Sequence, residues 1–241
     1  MLDKHELQDL LVRLKLGTVS VDGAIEEIEK NFYDENELSF SFLKNTSFEQ
    51  VTFCEGKSID YLKRIIDMYL EKRISFICVG IDNDIAVKLG SYFDGIDIFY
   101  EAGIAAKTYT PIKSKGFKAA IVSSACDLSK PCHEAESVLN LFGVETEIIL
   151  GVHPDKFSTV KNRLQNVSAV IVASESTALA EVVSSVFLGP VVSLPLSRGK
   201  DVSLNGFCTM LGSVSSPWGV TTVNIDSGFA AAMAIYRVCN K

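Results

Sequence analysis

Apolar residues recur along this chain with two periods, and the period changes near residue 50. Leu7, Leu10, Leu11 and Leu14 stand three or four apart, which predicts a helix over residues 5–15. Leu16-Gly17-Thr18 breaks it, and Ser20 caps a second helix through Ala24, Ile25 and Ile28 to about Phe32. An acidic loop with Asp34, Glu35 and Glu37 follows. Residues 1–45 therefore read as a helical hairpin appended to the rest, or as an arm that packs on a neighbouring subunit.

From residue 50 onward, short β-branched runs alternate with helical spacing. Over residues 46–115 the pattern predicts strands at Gln50–Cys54, Ser75–Val79 and Ile96–Tyr100. A helix capped by Ser58 and a short one from Asp84 lie between them, and residues 101–117 carry no clear period. Residues 116–241 read as five strand–helix units in succession. Their strands are Lys118–Ser123, Glu145–Leu150, Ala169–Ala173, Val191–Leu194 and Val220–Ile225. Their helices are Pro131–Phe142, Pro154–Leu164, Thr177–Phe187, Leu204–Leu211 and Phe229–Val238. Such an alternation predicts an α/β fold with a parallel sheet covered on both faces. Ligands of such sheets sit outside the carboxyl ends of the strands, at the point where strand order reverses.

That rule directs attention to five loops. Ser123-Ser124-Ala125-Cys126-Asp127 is a small, hydroxyl-rich turn into a helix, suited to cradling a phosphate and equally to plain helix capping. Gly151-Val152-His153 offers an imidazole at a strand end, either a proton carrier or a solvated loop residue. Ser174-Glu175-Ser176 offers a carboxylate and hydroxyls at a helix start, where capping alone also accounts for them. Ser197-Arg198-Gly199-Lys200 holds two cations that suit a phosphate or carboxylate, or a solvated basic loop. Asn224-Ile225-Asp226-Ser227 precedes a helix made narrow by Ala230, Ala231, Ala232 and Ala234, able to pack closely on the sheet or on another subunit.

Composition narrows the function classes. The net charge is −7 and no block of Lys or Arg stands out, so phosphate tracking along nucleic acid is not expected. The N-terminus has no basic stretch followed by an apolar one, and no run reaches the length of a membrane span, so neither a signal peptide nor a membrane partner is expected. Six cysteines fit no zinc spacing and include no CxxC, which suggests free thiols, a reducing cytoplasmic setting and no metal.

The segments SSACDLS, PVVSLPLSRG, NGFCTMLGS and above all GVTTVNIDSGFAAAMAI resemble the AIR carboxylase (PurE-type) family, with its LarB branch nearest. LKLGTVSVDGAIEEI and VTFCEGKSID are similar to that branch's N-terminal helical pair and its Gly-Lys before a helix, putting Gly56-Lys57 in the matching place. The resemblance implies a three-layer flavodoxin-like domain in a homo-oligomer that binds a small-molecule nucleotide. It implies carboxylation or decarboxylation of a ribonucleotide ring, as in purine synthesis or nickel-pincer nucleotide synthesis. No cofactor is implied, and bicarbonate or CO2 is the co-substrate. Asp127 takes the place of the family's loop aspartate and, with His153 as proton carrier, is the catalytic expectation. Substrate-binding expectations are Ser123, Ser124, Cys126, Gly151, Ser176, Ser197, Asn224, Asp226 and Lys57. The family glutamate of the third loop falls on Ser176, beside Glu175, and Val214 stands where the LarB branch has its nucleophilic cysteine. The alternative expectation is therefore a pseudoenzyme that binds a nucleotide or acts as an oligomeric scaffold. A redox or regulatory domain of flavodoxin type ranks third.

Overall fold

The computed structural model describes residues 4–25, 27, 47–154, 158–198 and 203–239. Helix α1 (Lys4–Lys15) ends at a turn in which Gly17 is left-handed, and the Ser20 hydroxyl accepts the Gly23 N–H at 3.0 Å at the start of the second helix. The rest of that helix, the acidic loop and Lys200 lie outside the described residues.

Strands β1 (Gln50–Phe53), β2 (Phe76–Val79), β3 (Asp97–Phe99) and β4 (Ile104–Lys107) form a mixed sheet in the order β1-β2-β4-β3. Helix α2 (Ile59–Glu71), with Ser58 accepting the Tyr61 N–H, and helix α3 (Asn83–Tyr92) follow β1 and β2. Strand β4 falls in the stretch that carries no period; its Ile-Ala-Ala-Lys sequence is held between β2 and β3 by antiparallel ladders.

The second sheet is wholly parallel. It contains β5 (Lys118–Ser123), β6 (Glu145–Ile149), β7 (Ala169–Ser174), β8 (Val191–Pro195) and β9 (Thr221–Thr222) in the order β6-β5-β7-β8-β9. This is the flavodoxin-like order, and its reversal lies between β5 and β7. The helices are α4 (Lys130–Leu141), α5 (Ser158–Lys161) continuing as a 3-10 turn to Asn166, α6 (Thr177–Val186), α7 (Phe207–Val214) and α8 (Gly228–Cys239).

Three expected elements differ in extent from their apolar patterns. Of the expected Pro154–Leu164 helix, residues 155–157 lie outside the described residues, Ser158–Lys161 form α5, and the chain then tightens into the 3-10 turn Asn162–Asn166. The expected Leu204–Leu211 helix starts at Phe207, because Leu204, Asn205 and Gly206 all have positive φ (45°, 54° and 85°). The expected Val220–Ile225 strand pairs only at Thr221 and Thr222; beyond them single bonds from Val223 N–H to Ser193 O and from Asp226 N–H to Pro195 O hold the chain.

The layers alternate helix, sheet, helix, sheet, helix. Helices α2 and α3 cover one face of the mixed sheet with Leu62, Ile65, Ile66, Tyr69 and Leu89. Its other face (Val51, Ile77, Ile104) packs on α4 and α8, which also cover one face of the parallel sheet (Ile121, Ile171, Leu194). Val160, Leu164 and α6 close the remaining face over Val122, Val170 and Val172. A helix layer buried on both sides must be apolar and thin. Ala135, Ala231 and Ala232 meet that requirement and are fully buried inside the chain. Ala231 and Ala232 of α8 are thus occupied within the chain, while Ala230 and Ala234 are partly buried.

Candidate functional site

Helices α4 and α8 both begin at one cavity of about 670 Å³, between the carboxyl ends of the two sheets. The mixed sheet contributes Phe53, Glu55, Gly80 and Asp82. The parallel sheet contributes Ser197 and Arg198 after β8 and Asn224 to Ser227 after β9, and the α4 start contributes Ser129, Lys130 and Glu134. The volume suits a mononucleotide-sized ligand.

Several sequence-predicted residues meet here. Ser197, Asn224 and Asp226 line the cavity. The Ser197 N–H donates to Asp226 Oδ1 at 3.0 Å, which ties the β8 loop to the β9 loop. Asp226 has φ 56°, the left-handed turn that aims the chain into α8. Asp127 pairs with Arg198 at 3.3 Å, so the loop after β5 reaches the same rim.

The other predicted residues gather at the strand-order reversal. Ser123 is fully buried and its hydroxyl accepts the Ala125 N–H at 3.2 Å, so it shapes the loop. Ser124 and Ser174 face each other across the reversal, Oγ to Oγ 3.4 Å. Ser176 caps α6 by accepting the Ala178 N–H. Gly151 donates its N–H to Ala125 O at 2.8 Å with φ 66°, docking the β6 loop on the β5 loop beside the exposed Cys126. His153 is exposed on that loop. Lys57 lies 4.8 Å from the Tyr61 ring and does not line the cavity.

Four charged residues that sequence reasoning missed line the cavity: Glu55, Asp82, Lys130 and Glu134. The Lys130 ammonium crosses between the sheets to donate to Ile81 O at 3.0 Å. It passes over Gly103, where a Cβ would stand 2.7 Å from the lysine Cε. Glu134 Oε2 accepts the Phe229 N–H at 3.1 Å, an acid at the start of α8 where the helix dipole favours it. The Phe229 ring in turn meets Phe53 edge-on at 5.3 Å, an aromatic wall for a planar ligand ring.

Burial holds the Glu134 carboxyl above the usual carboxylate range, opposed by the Phe229 and Gly228 N–H groups and Lys130 and reinforced by Glu55. The folded state therefore binds this proton more tightly than the unfolded chain. The stability that the neutral carboxyl keeps is lost as pH rises through the raised value. Glu134→Gln is expected to gain stability relative to wild type as the pH is raised from about 4, the ordinary glutamate value, to about 8. Urea unfolding of both proteins at the two pH values checks this, and a difference that is flat or opposite in sign contradicts it.

Among the described residues no group of His, Cys, Asp and Glu side chains is arranged to hold a metal ion, and no helix is long and apolar enough to cross a membrane. None of the six cysteines is in a disulfide; Cys54, Cys78 and Cys132 are buried, Cys239 is partly so, and Cys126 and Cys208 are exposed.

The fold and this cavity define a flavodoxin-like α/β protein with a small-molecule-sized site at its strand ends. No family model matches the chain. It is similar to an uncharacterized protein of Methanocaldococcus jannaschii, 28% identical over 246 residues, with 94% of each chain covered. That coverage takes in both sheets and all the strand-end loops.

Proposed function

We propose that this chain is a PurE/LarB-like protein that binds a nucleotide at the strand ends and carboxylates or decarboxylates its ring. Bicarbonate or CO2 is the co-substrate, and no metal or organic cofactor takes part. The protein works in the cytoplasm as a homo-oligomer. One observation carries the reading: three segments of the resemblance, SSACDLS, PLSRG and NIDSGF, converge on one rim through Asp127–Arg198 and Ser197–Asp226. In this reading the phosphate sits by Ser124, Ser174 and the start of α6. The ring lies against Phe53 and Phe229, and Lys130 and Arg198 balance the carboxylate that is added or lost. Carboxylation releases a ring proton, and Glu134, a carboxyl kept basic by burial, is placed to take it.

A second reading, a nucleotide-binding pseudoenzyme, is favoured by one observation. Val214, at the expected cysteine position, is at the end of α7 and is not among the residues lining the cavity. Incorporation of labelled bicarbonate into nicotinate or aminoimidazole nucleotides separates the two. Incorporation supports the carboxylase, and binding without incorporation supports the pseudoenzyme.

The carboxylase proceeds here without a covalent thiol. Cys126 is the one cysteine in the reversal loops, and Cys126→Ser is expected to keep turnover within about tenfold of wild type. A loss beyond about a hundredfold at unchanged nucleotide affinity would mean that a thiolate acts in the transition state.

A further inference from the structure

Helix α4 is the layer that both sheets share, and its Cys132, Ala135, Val138 and Leu139 are buried in that role. On another side of the helix, Glu136 and Ser137 follow His133 by three and four residues, a spacing that gathers them into one polar face. This face lines a second cavity of about 600 Å³, which shares no lining residue with the strand-end cavity. The facing wall is the edge of the mixed sheet: Phe99 at the end of β3, then Tyr100 and Glu101 in the turn to β4. Tyr100 lies across α3, where a Cβ on Gly90 would stand 2.7 Å from its hydroxyl oxygen. Ile112 and Leu141 add apolar surface.

The charge of this cavity is one-sided. Glu101 and Glu136 flank His133, whose Nε2 is 3.7 Å from Glu101 and whose Nδ1 is 4.0 Å from Glu136. Both separations are longer than a hydrogen bond, and a neutral imidazole has a single N–H to offer two carboxylates. Among the described residues no Lys or Arg lines the cavity or pairs with either glutamate. Two carboxylates in a concave, largely apolar setting focus a negative potential, which turns anions away. The strand-end cavity, with Lys130 and Arg198, has the opposite bias and remains the place for a phosphate. A metal ion does not fit either, since among the described residues no group of His, Cys, Asp and Glu is arranged to hold one. Charge complementarity therefore selects a cation carried on an apolar body, its positive group at the carboxylates and its body against the Phe99 and Tyr100 rings. We propose that this cavity binds a small organic cation, a primary amine or guanidine on an apolar or aromatic body, through Glu101 and Glu136. The inference is independent of the nucleotide reading.

Isothermal titration of the full chain with three matched compounds tests it: tyramine, tyrosol (a hydroxyl in place of the ammonium) and hydroxyphenylacetate (a carboxylate ending the chain). Tyramine is expected to saturate one site per chain below about 10 mM, tyrosol to bind at least about tenfold more weakly, and hydroxyphenylacetate to give no heat. Agmatine, a guanidine on an aliphatic body, is the second cation and is expected to saturate the same site. Glu101→Gln and Glu136→Gln are each expected to weaken tyramine by about threefold to tenfold, and the double variant by more. Both side chains reach solvent and glutamine keeps their shape, so the variants are expected to give the circular dichroism and melting curve of wild type. Failure of both cations to saturate overturns the proposal. So does tyrosol binding as tightly as tyramine, or a double variant that binds tyramine as wild type does.

Discussion

Gly228→Ala is expected to cost about 3 kcal/mol and to lower the thermal midpoint by about 6–12 °C. Gly228 opens α8 where that helix crosses the start of α4. A Cβ there would stand 2.1 Å from Pro131 O and 2.9 Å from both Ala135 N and Glu134 Cβ. Two of these three atoms are backbone, so no rotamer change relieves the clash and the helices must separate. Separation would open contacts on both sides, because α4 and α8 are the layer shared by the two sheets. It would also pull Phe229 N–H from Glu134 and move a wall of the cavity. Calorimetric or circular-dichroism melts check this; a midpoint within about 2 °C of wild type would mean that the helices yield cheaply.

The second large effect is on binding. Ser124→Glu is expected to weaken nucleotide affinity by about tenfold to a hundredfold, whereas Ser124→Ala should change it by about tenfold or less. Ser124 is at the reversal of strand order, its hydroxyl 3.4 Å from that of Ser174 and close to the start of α6. A carboxylate there occupies the place proposed for the phosphate and repels it. Ser124 is only partly buried, so both variants should fold and melt as wild type does. Equal affinity in Ser124→Glu and wild type would remove the phosphate from this loop.

The parallel half of the fold was the more legible in sequence, for a physical reason. Strands buried on both faces read as unbroken β-branched runs, and Lys118–Ser123 agrees with its expected ends at both residues. Strand β4 was hidden because Ala105 and Ala106 carry no strand signature; their place is set by partners far away in sequence. The late start of α7 was hidden because Leu204 and Asn205 gave no sign of the positive φ they adopt.

The site divides in the same way. Ser197, Asn224 and Asp226 were reachable by the rule that ligands sit at carboxyl ends of parallel strands, and all three line the cavity. Glu55 and Asp82 come from the other sheet, and Glu134 is joined to a helix start 95 residues further on. Their meeting depends on how the two sheets share α4 and α8, which no local pattern encodes.

Isothermal titration of the wild-type chain with adenine, nicotinate and aminoimidazole mononucleotides tests the central claim, that a nucleotide binds with its ring in the strand-end cavity and its phosphate at the neighbouring reversal loop. The account predicts saturable heat with at least one of them at one ligand per chain, sharply weakened in Ser124→Glu. No heat with any of the three would contradict it, as would binding that Ser124→Glu leaves untouched.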